Sequence, residues 1–248
     1  LGAPASILVD AKPHLGTDRL AEILTQFRAL LRDLGCELRF GCRVDDLLVE
    51  AGRVVGVTTA AGVERAERVM LAVGHSAHGL YRRLAARGVA MEAKPFAMGL
   101  RVEHPQALIN EIQYGRFATD PRVPTADYQL TANFDEPEPR GVYSFCMCPG
   151  GVVVPSSTEP DGVVVNGMSN ADRSGSSANS AIVVTVGPRD FAAYGEGVLA
   201  GLAMQEAVER AAALRGGGAQ RAPAQRLVDF LAGKDSSALR SSYRPGVC

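Results

Sequence analysis

No stretch of this chain is long and apolar enough to cross a bilayer, which takes about 18 consecutive residues. No compact basic cluster stands out either. Lys plus Arg number 26 against 27 Asp plus Glu, so neither nucleic acid nor an anionic membrane surface is an expected partner. The five cysteines, Cys36, Cys42, Cys146, Cys148 and Cys248, follow no disulfide-framework spacing, and no signal peptide stands before them. That pattern points to a reducing, cytoplasmic compartment. There is no internal repeat. What is present is the composition of a globular protein, with 46% hydrophobic and 21% charged residues. A length of 248 residues allows one large domain or two intertwined ones. The chain opens on Leu1 and stops at Cys248 just after a turn-like Tyr243-Arg244-Pro245-Gly246, which suggests a fragment lacking sequence at both ends.

Periodicity gives the elements. Ser6-Ile7-Leu8-Val9 is a short apolar strand-like run, followed by a loop over Lys12 to Gly16. Thr17 or Asp18 can cap a helix in which Leu20, Ile23, Leu24, Phe27, Leu30, Leu31 and Leu34 recur at three and four, the mark of one buried face. Gly35 stands where a left-handed cap would end it. Strand-like runs follow at Glu37–Phe40, Val44–Val49, Arg53–Thr59 and Arg68–Val73. Within the last of these, Val69-Met70-Leu71-Ala72-Val73 is apolar throughout, as expected of a strand buried on both faces. It ends in Gly74-His75-Ser76-Ala77 before a short helix, Gly79–Arg87. From Lys94 the composition shifts to strands at Met98–Glu103, Tyr128–Thr131, Val142–Cys146, Val152–Val154, Val163–Val165 and Ile182–Val186, then helices at Val198–Leu214 and Ala224–Leu231. The expected architecture is therefore α/β, with a β-rich α+β domain following the first unit.

Four strings carry chemistry. A serine on the sharp Gly74-His75-Ser76 turn suits an α/β-hydrolase nucleophile, but His78 breaks the G-x-S-x-G pattern, and His104, the last histidine, follows too closely for that family's order. The same turn also suits a phosphate, because glycine lets an anion approach the backbone and the helix start offers donors. The dinucleotide fingerprint G-x-G-x-x-G is absent. Its nearest imitation, Gly195, Gly197 and Gly201, is separated from the strand before it by Pro188–Tyr194. Cys146-Met147-Cys148-Pro149-Gly150-Gly151 places two thiols two apart on a strand, where they are redox thiols, metal ligands or buried strand cysteines. A metal would need two further ligands, and no second Cys or His pair has recognisable spacing, so no metal is expected. Asn166-Gly167-Met168-Ser169, with Asp172-Arg173 and Ser177–Ser180, forms a polar loop between apolar strands, either a binding loop or a solvated connection. Arg101, Glu103 and His104 alternate on a strand that faces water or a cleft.

Together, His14–Asp18, Ala72–Ala77, Lys94–Pro105, Ala126–Thr131, Tyr143–Gly151, Val165–Ser169 and Ala222–Arg226 resemble the bacterial FAD-dependent dehydrogenases, in one order along nearly the whole chain. His78 departs from that pattern, where an arginine is usual, as does Asn170, where an aromatic is usual. The resemblance implies that residues 1–93 belong to a Rossmann-like FAD/NAD(P)-binding domain whose first dinucleotide unit lies outside the chain. It implies equally that 94–248 is the family's C-terminal domain, packed beside the flavin. It implies a flavin oxidoreductase acting on a small molecule, with FAD as cofactor and NAD(P)H as a reductant. By the same resemblance, Val44 would touch the adenine, and Ala72, Gly74, His75 and Ser76 would border the phosphates or ribose. Cys146 and Cys148 are the candidates on the substrate side. The isolated piece is expected to bind FAD poorly and to be inactive. The alternatives are a non-catalytic flavin-binding module and a serine hydrolase acting through Ser76.

Overall fold

The structure is a computed structural model that describes residues 1–11, 13–135, 139–218 and 220–248. Lys12, in the loop expected over 12–16, lies outside the described residues. The first long element is α1 (Thr17–Asp33). Its end follows from Gly35, which takes φ +82°. The Gly35 amide donates to Arg32 O at 2.9 Å and the Cys36 amide to Leu31 O at 2.9 Å, the two bonds that close a helix through a left-handed residue. Its start differs from expectation. Gly16 stands at the N-cap with no side-chain cap, and the Asp18 carboxylate instead accepts from the Ala171 amide at 2.8 Å.

Next come β1 (Val44–Glu50), β2 (Arg53–Thr59) and β3 (Gly62–Arg65), an antiparallel meander. Helix α2 (His78–Ala86) buries Leu80 and Leu84 against Leu47, with Val57, Val69 and Met91 around them. The larger sheet has the order β4-β9-β6-β5, formed by β4 (Phe96–Pro105), β5 (Thr131–Phe134), β6 (Arg140–Cys148) and β9 (Ser177–Val186). Strands β4 and β9 pair over all ten residues, from Phe96 opposite Val186 to Pro105 opposite Ser177. The hairpin of β7 (Val152–Pro155) and β8 (Val165–Met168) lies against β6 and β9. Helix α3 (Gln106–Tyr114) closes one end of the sheet around Ile109, Ala126 and Ala178. On the opposite face from Arg101, Phe96, Met98, Val184 and Val186 pack on Phe191 of α4 (Pro188–Phe191) and on Ala200 and Met204 of α5 (Ala200–Arg215). A short α6 (Leu227–Leu231) follows.

Several expectations are corrected. The run 69–73 forms no strand; Met70 is 92% exposed, and Leu71 and Val73 are exposed as well. An all-apolar strand needs neighbours on both sides, and none of the described strands pairs with it. A Rossmann-like part is not shown: every pair of named strands among the described residues is antiparallel. Ser6, Ile7 and Leu8 lie in a single 3-10 turn, Ala5–Leu8, with Leu8 and the following Val9 exposed, and Glu37–Phe40 forms no strand. The α1 spacing is that of a helix, yet Leu20, Leu24, Phe27 and Leu30 are all exposed, because no described element packs on that face. Strand β9 begins five residues earlier than expected, at Ser177, because β4 offers it a full-length partner.

Helices α2 and α5 meet at a buried polar knot. His78 is 4% exposed, and its Nδ1 lies 2.9 Å from Glu206 Oε1, which also accepts from Arg82 Nη2. Burial pushes the Glu206 carboxyl up, but hydrogen bonds and charge from Arg82 and His78 outweigh it and hold the group below its ordinary 4.5. The contribution is therefore present above pH 4.5 and lost as pH falls through the lowered value. Glu206→Gln is expected to cost about 1–3 kcal/mol at neutral pH. Urea unfolding measured against pH should also show a shallower acid limb in the variant; parallel limbs would count against the linkage.

Candidate functional site

The Arg101 side of the sheet gathers the polar strings. Arg101 pairs across β9 with Ala181 and onward with Phe145, while Glu103 pairs with Asn179 and Asn179 with Cys148, so all share one face. Between Phe145 and Cys148 the register slips, a bulge in which Cys146 adopts φ +47°. A non-glycine residue in that region is strained, and bulges re-aim the groups they carry. Here the bulge turns the Cys146 carbonyl to Arg101, accepting from Nη2 at 3.0 Å and from Nη1 at 3.4 Å.

Three more contacts hold the guanidinium. Asn179 Oδ1 accepts from Nη1, Asn166 Oδ1 accepts from Nη2 at 3.4 Å, and Cys148 Sγ lies 4.0 Å from Nη1. Asn179 is fully buried, and its Nδ2 has no partner. Gly167 completes the packing: a Cβ there would overlap both Arg101 Nη1 and Asn179 Oδ1. Burial pushes the Cys148 thiol up, only partly offset by Arg101, so it is protonated at neutral pH, and its Sγ donates to Cys146 O at 3.3 Å. Burial also lowers Arg101 from its ordinary value and pushes Tyr128 up.

The Pro-Gly-Gly turn is fixed from both sides. Gly150 takes φ +58°, and a Cβ there would overlap Arg173 O; its amide donates to Gln106 Oε1 at 2.8 Å. Ser169 Oγ donates to Pro149 O at 2.7 Å. The 168–171 loop is then stitched to the start of α1. Thr17 N donates to Ser169 O at 2.9 Å, His14 Nε2 meets Asn170 O at 2.9 Å, and the Gly16 backbone, at φ +88°, leaves no room for a Cβ beside Ala171.

The structure thus brings Cys146 and Cys148 together with Asn166–Ser169, which is not the expected loop: Asn166, Gly167 and Met168 lie in strand β8. The other candidates lie elsewhere: Val44 opens β1, and Ala72, Gly74, His75 and Ser76 lead into α2. Tyr81 Oη donates to Gly74 O at 2.6 Å. Ser76 makes no hydrogen bond to a histidine among the described residues, and no three metal-ligating side chains gather among them. Asn179 belongs to the polar Ser177–Ser180 string, but it stands in strand β9 and not in a loop: only the full-length pairing with β4 puts it opposite Glu103 and within reach of Arg101.

Comparison with known proteins supplies the class. Residues 95–248 match the family described as FAD-dependent protein, C-terminal domain-like, and the chain belongs to that family. It is 42% identical over 238 residues to an uncharacterized protein of Clostridium beijerinckii, a match covering 96% of this chain and 44% of the relative. The chain thus spans less than half the length of that relative.

Proposed function

We propose that this chain is part of a flavin-dependent oxidoreductase, with residues 1–93 belonging to its Rossmann-like FAD-binding domain and 94–248 forming the domain beside the flavin. The observation that carries this is membership in a family of FAD-dependent proteins. Local geometry supports it. Gly74 takes φ +68° with open space where a Cβ would stand, and α2 begins with no side-chain cap and no acidic residue in its first turn. Open backbone and uncapped amides fit a phosphate. Ala72, Gly74, His75 and Ser76 would accordingly hold the phosphates or ribose of FAD, and Val44 its adenine.

When bound, the flavin supplies electron or hydride transfer, and the protein supplies positioning and electrostatics. The Cys146–Gly151 and Asn166–Ser169 segments form the substrate side. Cys148, a protonated thiol, contributes packing and a hydrogen-bond donor there, and Arg101 fixes a positive charge. NAD(P)H is the proposed reductant.

The test is the visible spectrum of the protein expressed from its complete reading frame, before and after denaturation. Oxidised-flavin bands released as FAD and bleached by NADH or NADPH are the expected result. A colourless, folded protein that stays empty with added FAD would refute the assignment. A flavoprotein that no reductant bleaches would refute the oxidoreductase.

A further inference from the structure

Arg101 is a half-buried cation whose every partner is neutral: two side-chain amides, one backbone carbonyl and one thiol. No carboxylate lies within ion-pair distance of it among the described residues. The acid nearest in the strand, Glu103, is already engaged. Its Oε2 accepts from Ser241 Oγ at 2.6 Å and its Oε1 from Ser242 N at 2.7 Å. Burying a charge without a counter-charge is costly, and folds retain such an arrangement where something else supplies the opposite sign.

The surroundings are built to hold that charge in one orientation. Asn179 spends its buried oxygen on Nη1 and leaves its own donor unsatisfied, which is destabilising on its own account. The strained Cys146 backbone supplies the second acceptor, and Gly167 supplies the space. What remains unpaired lies on the Nε–Nη2 edge of the fork. Nε–H makes no hydrogen bond among the described residues, and beyond Cys146 O the Nη2 group has only the long 3.4 Å contact to Asn166. Exposed Asn166 commits its oxygen to the Gly167 amide at 2.8 Å and to Arg101, leaving its Nδ2 donors free beside the guanidinium. On the same face, two strands away, the Phe145 ring is 56% exposed. A planar fork with an adjacent amide donor matches the two oxygens of a carboxylate, which a side-on guanidinium binds through two parallel bonds.

We propose that Arg101 and Asn166 Nδ2 bind the carboxylate of an organic acid substrate, with Phe145 offering surface to its apolar body and Asn179 acting as the positioning residue. As an assignment of substrate class this rests on the oxidoreductase reading; as a binding site it is tested without it. The probe is sodium benzoate, titrated into the protein expressed from its complete reading frame and followed by the nitrogen–proton NMR signals of Gly167 and the Asn166 side chain. Saturable shifts are expected, and benzamide, the same ring without the charge, should produce none. Arg101→Gln should weaken benzoate binding about tenfold or more, as loss of a charge-assisted pair implies. Should that variant fail to fold, Arg101→Lys keeps the charge and loses the fork, and weaker but measurable binding is expected.

The site is refuted if benzoate produces no saturable shift, if benzamide matches it, or if binding survives in the glutamine variant. Equal or tighter binding of inorganic phosphate would overturn the carboxylate class. Failure of the flavin test with benzoate binding intact would leave an acid-binding site without the oxidoreductase. A flavoprotein that ignores benzoate would keep the flavin reading and remove this one.

Discussion

Phe191→Ala is expected to destabilise the chain by about 3–5 kcal/mol, the range for emptying a fully buried aromatic site. Phe191 is 1% exposed and stacks on Phe96 with ring centroids 5.4 Å apart. Gly201 of α5 lies against both rings, close enough that a Cβ would come within 3.1 Å of Phe96 and 3.4 Å of Phe191. The ring therefore joins the first residue of β4, the end of β9 through Val186, and the start of α5. Neighbours held by a sheet and a helix cannot collapse into the void, which puts the cost at the upper part of the range. Phe191→Leu keeps most of the volume and should lose less than about 1.5 kcal/mol. Urea midpoints of the two variants decide it; equal midpoints would mean that the site relaxes freely.

Gly167→Ala is expected to cost about 2–4 kcal/mol, although it adds one methyl group. That Cβ would overlap two atoms with different freedom. The Arg101 guanidinium, at the end of a long side chain, can swing to solvent. Asn179 Oδ1 cannot, because its residue is fully buried. Once Arg101 leaves, Asn179 Oδ1 is newly unsatisfied, which costs about 1–3 kcal/mol, and the overlap of the added Cβ with that fixed oxygen adds to it. Gly79→Ala is the contrast. Gly79 lies within α2 with nothing near its missing Cβ, so alanine there should stabilise by about 0.5–1 kcal/mol. If both variants shift the urea midpoint in the same direction, the close packing at Gly167 is not the cause.

Helix α1 shows how far sequence alone reaches. Its spacing and Gly35 determine both the helix and its end, because those are local demands of periodicity and backbone conformation. Its burial was not legible. An apolar stripe states that a partner is wanted, and only the rest of the fold can supply one. The run 69–73 is the same case in a strand, where an apolar string was read as a finished sheet position. The functional strings fared differently. The Cys146–Gly151 and Asn166–Ser169 segments stood out by composition, and the structure sets them side by side. What joins them was illegible: Arg101 and Asn179 are separated by 78 residues, and their contact depends on strand pairing and on a bulge that no residue type announces. Helix α3 escaped notice because Leu108, Ile109 and Ile112 make too short a pattern between two proline-bounded segments.

The stitches between His14–Asp18 and Met168–Ala171 have a consequence in time. They join residues 151 to 156 positions apart, so they close a ring of chain that encloses most of the protein. Contacts of such separation reward folding only after the intervening entropy has been spent. The outset of α1 therefore has no settled seat until the β8–β9 connection exists. During synthesis the start of α1 must wait for some 150 later residues to emerge before it can be anchored to the 168–171 segment.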